Sequence, residues 1–236
     1  MHDLKFFKVY QFDNKIRLGS NADGGYVIGE LNNDYDCYIS CGVSDEESFS
    51  RDFINRYNID KSNSYAFDGT IQDYPYQYTN NITFIKKNIN NYNDEYNTDL
   101  IDIIDKYDNI FLKMDIEGSE FTWLLNLPEE KLVKFKQMVF EFHGIYNNTW
   151  NNKYSDKIKC FEKLSKTHYL IHAHGNNSAP VENNIPEVVE FTYINKNAVD
   201  SKLELNVTPL PIIDLDYTNF GNETINLNFY PFVNNL

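Results

Sequence analysis

Cysteine is too scarce in this sequence to build a scaffold. Cys37, Cys41 and Cys160 are irregularly spaced and form no Cys-x-x-Cys pair for zinc, so a disulfide framework is excluded and reduced structural thiols are expected. Long apolar runs are missing too. The longest are strand-sized, well below the roughly 18 residues that span a bilayer. The amino-terminal MHDLKFFKVYQFDNK has neither a continuous apolar segment nor a cleavage site, so the expected location is the cytoplasm, with no membrane partner. Basic residues number 21 against 35 acidic, a net charge of −14, and no long basic run offsets them. That field repels phosphates, so no nucleic-acid partner is expected. The GxGxxG fingerprint is also absent, which counts against a nicotinamide-dependent oxidoreductase. Neither an internal repeat nor a linker long enough to divide the chain is present.

What is present is enough apolar material for one sizeable core: 236 residues, 42% hydrophobic and 16% aromatic. From Tyr35 onward, β-rich runs alternate with helical patterns, which predicts an α/β fold: a doubly wound, mostly parallel sheet with helices on both faces. Strands are expected at 37–40, 64–68, 82–86, 109–115, 137–143 and 169–174, with helices over 46–57, 100–106, from Ser119 onward, and over 153–166. VVEFTYINK (188–196) alternates and reads as an antiparallel edge strand. The chain reads as a single domain, with an amino-terminal lid or turn region (1–34), a core (35–196) and a wrapping tail (197–236). Within the tail, LNFYPFV (Leu227 to Val233) is expected either to cover the core or to pair with a partner, and the oligomeric state stays open. The tract Asn88 to Asn93 reads as compositional bias.

Ligands of such sheets bind outside the carboxyl ends of the strands, and there the sequence is polar or glycine. Gly42 in SCGVSDEESF permits close backbone approach. Asp68, followed by Gly69, stands where an acid would hold ribose hydroxyls, or else caps a turn. The fourth strand ends in KMDIEGSE, with Glu117 and Glu120 suited to capping the next helix, the preferred reading for Glu120. Asp115, Glu141 and His143 are expected to face one cleft as a general base with orienting groups, or as ligands of a divalent cation. In IHAHGNN, His172 reads as structural, and His174 as the more functional of the two. Tyr74, Tyr76 and Tyr78 read equally as sugar-stacking or packing residues.

KIRLG with DGGYVIG, YISCGVSDEESF, YAFDGT, FLKMDIEGSE, VFEFHG, LIHAHGNN, IPEVVEFTYI, LDYTNF and LNFYPF occur in that order, and together they resemble the FkbM-like methyltransferases over nearly the whole chain. The resemblance implies a class I methyltransferase fold, Rossmann-like and seven-stranded, with an antiparallel strand near the C-terminal end. It also implies S-adenosylmethionine as methyl donor and a hydroxyl of a sugar, glycan or other small polyhydroxylated molecule as acceptor. Cys41, Gly42, Val43 and Ser44 would form the cofactor turn, Asp68 and Gly69 would meet the ribose, and Asp115 would sit between cofactor and acceptor. Arg17 and the Asp23-Gly24-Gly25-Tyr26 turn would fold over the cofactor. Glu141 and His143 would orient the acceptor, with His174 as a supporting wall. The competing expectation is a catalytically silent binding module on the same fold.

Overall fold

The computed structural model describes residues 4–145, 152–182, 184–218 and 223–234. Seven strands, numbered in chain order, form the main sheet: β1 (Cys37–Cys41), β2 (Ser64–Phe67), β3 (Thr83–Ile85), β4 (Ile110–Met114), β5 (Phe135–His143), β6 (His168–Gly175) and β7 (Val188–Asn195). Their spatial order is β3-β2-β1-β4-β5-β7-β6. Pairs from β3 to β5 are parallel, whereas β7 is antiparallel to both neighbours, so six strands share one direction. The architecture is mixed α/β and compatible with a Rossmann-like fold.

Alternation along the strands builds two cores. In β1, Cys37, Ile39 and Cys41 face one side, where α2 (Ile101–Ile104), α3 (Glu120–Asn126) and α5 (Tyr154–Thr167) supply Ile104, Phe121, Leu124, Phe161 and Leu164. Tyr38 faces the other side and meets α1 (Ser48–Tyr57), whose Phe49, Phe53, Ile54 and Tyr57 lie at helical spacing. Asn58 ends α1 in the left-handed conformation, its amide donating to Ile54. A short helix α4 (Glu129–Leu132) leads into β5.

One expectation is corrected. VVEFTYINK is antiparallel, but it lies between β5 and β6, and β6 is the edge. Its alternation marks two covered faces: Val189, Phe191 and Tyr193 enter the first core, while Thr192 donates to the Val27 carbonyl. Val27 belongs to a hairpin, Lys15–Leu18 with Tyr26–Gly29, which packs on the sheet, while Asp23, Gly24 and Tyr26 reach the strand ends. The tail does wrap: Leu210, Leu227, Phe232 and Val233 are buried in the first core, which places LNFYPFV as core cover. No helix among the described residues is long and apolar enough to cross a membrane.

Candidate active site

The site begins where β1, β2 and β4 end together. Gly42 has φ +79°, and a Cβ there would lie 1.6 Å from the Asp115 carbonyl oxygen, so only glycine permits this approach. The turn is tied on every side. Gly42 N–H donates to Phe67 O and Asp115 N–H to Cys41 O, both at 2.9 Å, and Lys113 Nζ donates to Gly42 O. Asp68 closes it: Oδ2 accepts from the amides of Val43 (3.0 Å) and Ser44 (3.1 Å), and Oδ1 from Thr70 N (2.7 Å) and Oγ1 (2.6 Å). Burial alone would raise its pKa, but these bonds from Thr70, Ser44 and Val43 hold it below the ordinary carboxylate value. The start of α1 is capped in the same way, with Glu46 accepting from Ser48 N (2.9 Å) and Ser48 Oγ (2.8 Å). The Val43, Ser44 and Ser48 amides are therefore already met by carboxylates of the chain.

Above this floor opens a cleft of about 550 Å³, within the range of small-molecule sites. Its walls bring together the expected Gly24, Tyr26, Gly42, Val43, Ser44, Asp68, Gly69 and Asp115. Asp23, Asp45, Glu46 and Glu117 add to an acidic lining in which Lys87 and Lys113 are the cations. Lys113 and a fourth wall of Asn88, Asn90 and Asn97 escape a reading of the sequence alone. A charged residue inside the apolar FLKM strand is a signal for Lys113, whereas the asparagines sit in a tract that resembles bias.

Five residues that the sequence singles out stand behind the cleft or outside it. Arg17 donates to the carbonyls of Ser20 (2.8 Å), Ala22 (2.9 Å) and Leu215 (3.1 Å), so it shapes the 19–25 turn and ties the tail to it. Gly25 lies buried within that turn. Cys41 is fully buried, its thiol pushed up by burial. His172 is structural as expected, its Nε2 lying 2.8 Å from Asp216. Tyr74 packs into the second core with its hydroxyl on Glu47 at 2.9 Å, which settles that residue as packing.

Behind Asp115 lies a buried polar layer. The Tyr26 hydroxyl is 3.3 Å from both Asp115 Oδ2 and Glu141 Oε2. Asn176 donates to Glu141 Oε1 (2.7 Å), and His174 Nδ1 lies 3.2 Å from Glu190 Oε2. Neither Asn176 nor Glu190 stands out in the sequence, although an acid within VVEFTYI is the same kind of signal as Lys113. His143 faces three acids: Nδ1 is 3.2 Å from Glu120, and Nε2 is 3.4 Å from Glu117 and 4.0 Å from Asp115. Burial opposes its proton, yet the Glu120 hydrogen bond and the charges of Glu120, Glu141 and Asp115 raise it to about 9. Glu120 also accepts from the amides of Ile116 (3.0 Å) and Gly118 (3.2 Å), so it ties down the loop before α3 and does not cap the helix as expected.

The geometry groups Asp115 with Glu117 and His143, one ligand-type atom of each lying within 4.8 Å of the others; Glu141 stands apart. With the imidazole protonated, the same three residues form ion pairs around His143. The chain matches no protein-family model and no curated protein.

Proposed function

We propose that the chain is an S-adenosylmethionine-dependent O-methyltransferase acting on a hydroxyl of a sugar or other small polyhydroxylated acceptor. The observation that carries this reading is the acid-lined cleft at the ends of β1, β2 and β4, beside a turn whose Val43 and Ser44 amides Asp68 already holds. A pyrophosphate needs free amides and a positive field, and this lining repels its charge. A nucleoside donor with a net positive charge suits both features. Asn88, Asn90 and Asn97 offer amide donors and acceptors of the kind that read a purine edge. Asp68 reaches a ribose hydroxyl by exchanging one of its four bonds, and the Thr70 hydroxyl is the donor that can turn to water instead.

Bound S-adenosylmethionine would supply a methyl group already activated by its sulfonium. The chain's remaining work is to align the acceptor oxygen, exclude water and take one proton. Asp115, half-buried on the cleft wall with Oδ2 beside Tyr26, is placed to take that proton. Glu141, His143 and His174 act from behind it. A divalent cation at Asp115, Glu117 and His143 would release the His143 proton on binding, and a chelator that leaves activity intact would remove the metal idea.

Calorimetric titration with S-adenosylmethionine and, separately, NAD tests the reading. Saturable binding of the methyl donor alone supports it, and NAD binding alone replaces it with an oxidoreductase. Donor binding with no turnover across a panel of sugars moves the assignment to the silent module.

A further inference from the structure

The protons around Tyr26 do not close with two ionised carboxylates. A phenol has one proton to donate, yet the Tyr26 hydroxyl sits 3.3 Å from Asp115 Oδ2 and 3.3 Å from Glu141 Oε2. With both carboxylates ionised the single phenol proton is divided between two oxygens, and a full hydrogen bond to each needs a second proton, carried by one of the carboxyls. Their surroundings decide which one. Asp115 lies half-buried at the cleft, within reach of water. Glu141 is 5% exposed on β5 and stands directly opposite Glu190 on β7, a like-charge cross-strand pair that is unfavourable when both ionise. Beside Tyr26, its one hydrogen-bond donor among the described residues is Asn176, which serves Oε1. His174 is turned to Glu190, and His143 to Glu120, Glu117 and Asp115. Burial first, then the charges of Asp115 and Glu190, push Glu141 well above the ordinary carboxylate range against the opposing Asn176 and His143.

We propose that Glu141 is a carboxylic acid in the resting protein at neutral pH, its Oε2–H donating to the Tyr26 oxygen while the Tyr26 O–H donates to Asp115 Oδ2. Glu141 is then a positioning residue. It fixes the direction of the Tyr26 hydroxyl and leaves Asp115 the one anion of the pair. That consequence for catalysis rests on the methyl-transfer reading, whereas the protonation itself does not.

Charge counting tests it on the full chain. Native electrophoretic mobility at pH 7 is expected to be the same for wild type and Glu141→Gln, while in urea, where the glutamate ionises, the variant is less negative by one charge. A one-charge difference in the native state would overturn the proposal. Infrared spectroscopy gives a second reading: a deuterium-sensitive protonated-carboxyl C=O band of the wild type is expected to vanish in Glu141→Gln and to shift in Tyr26→Phe. If the glutamine variant does not fold, the Tyr26→Phe spectrum decides, and a band that stays in place overturns the assignment. Calorimetry with S-adenosylmethionine on the same wild-type sample bears only on the methyl-transfer reading. Absence of binding there would end that reading and leave the charge result standing.

Discussion

At Asp68 one carboxylate holds two loops, since its four accepted bonds come from the β1 turn and from Thr70. Removing it strands the Val43 and Ser44 amides, at a cost of about 1–3 kcal/mol for each group left without a partner. Asp68→Ala is therefore expected to lower urea stability and to weaken S-adenosylmethionine binding by about tenfold or more. Asp115→Ala touches no such support and is expected to suppress turnover with a smaller effect on donor binding; calorimetry paired with a methyl-transfer assay separates the two. His143 makes a prediction about pH. Its folded pKa, near 9, lies above the ordinary 6.5, so its pairing with Glu120 contributes full stability below about pH 6.5 and loses it as pH rises through about 9. Subtracting the His143→Gln melting curve from the wild-type curve across that window is expected to give an advantage that shrinks with pH. A constant difference would mean that the imidazole is not held protonated.

For the elements, the close crossing of the β1 turn and β4 sets the tolerance. Gly42→Ala places a Cβ 1.6 Å from the Asp115 oxygen, so the two strand ends must part. We expect loss of donor binding even where the protein still folds, measured by calorimetry beside circular dichroism. In α1, Phe53 stacks on Tyr38 (4.9 Å) and lies 4.1 Å from Phe111, so Phe53→Ala is expected to cost about 3–5 kcal/mol in chemical denaturation. These elements are readable because their information is local: alternation in CYISC, helical spacing from Phe49 to Tyr57, and a glycine or acid at the ends of β1, β2 and β4. The position of β7 was not readable. What buries its polar face is the hairpin at 15–29, remote in sequence and carrying no mark of that partnership. The same limit hid the Glu141–Glu190 pairing, which depends on the register between β5 and β7. It hid the asparagine wall as well, where polar side chains follow no period.

Across the whole molecule, the net charge of −14 and the acidic cleft act together on anything that enters. Within the methyl-transfer reading, the donor arrives as a cation, and the thioether it leaves has lost that charge. The field should then draw the donor in and hold the product less tightly. Charges at the cleft mouth, such as Asp23 and Asp45, are exposed, so their share is screened over a Debye length of about 10 Å at 0.1 M salt and about 3 Å at 1 M. Affinity for S-adenosylmethionine is therefore expected to fall as salt is raised over that interval, while affinity for S-adenosylhomocysteine changes little, so that their ratio narrows. Asp23→Asn combined with Asp45→Asn is expected to narrow the ratio at low salt without touching the bonds of Asp68 or Tyr26. Equal salt slopes for the two ligands would show that local contacts, and not the field of the chain, distinguish donor from product.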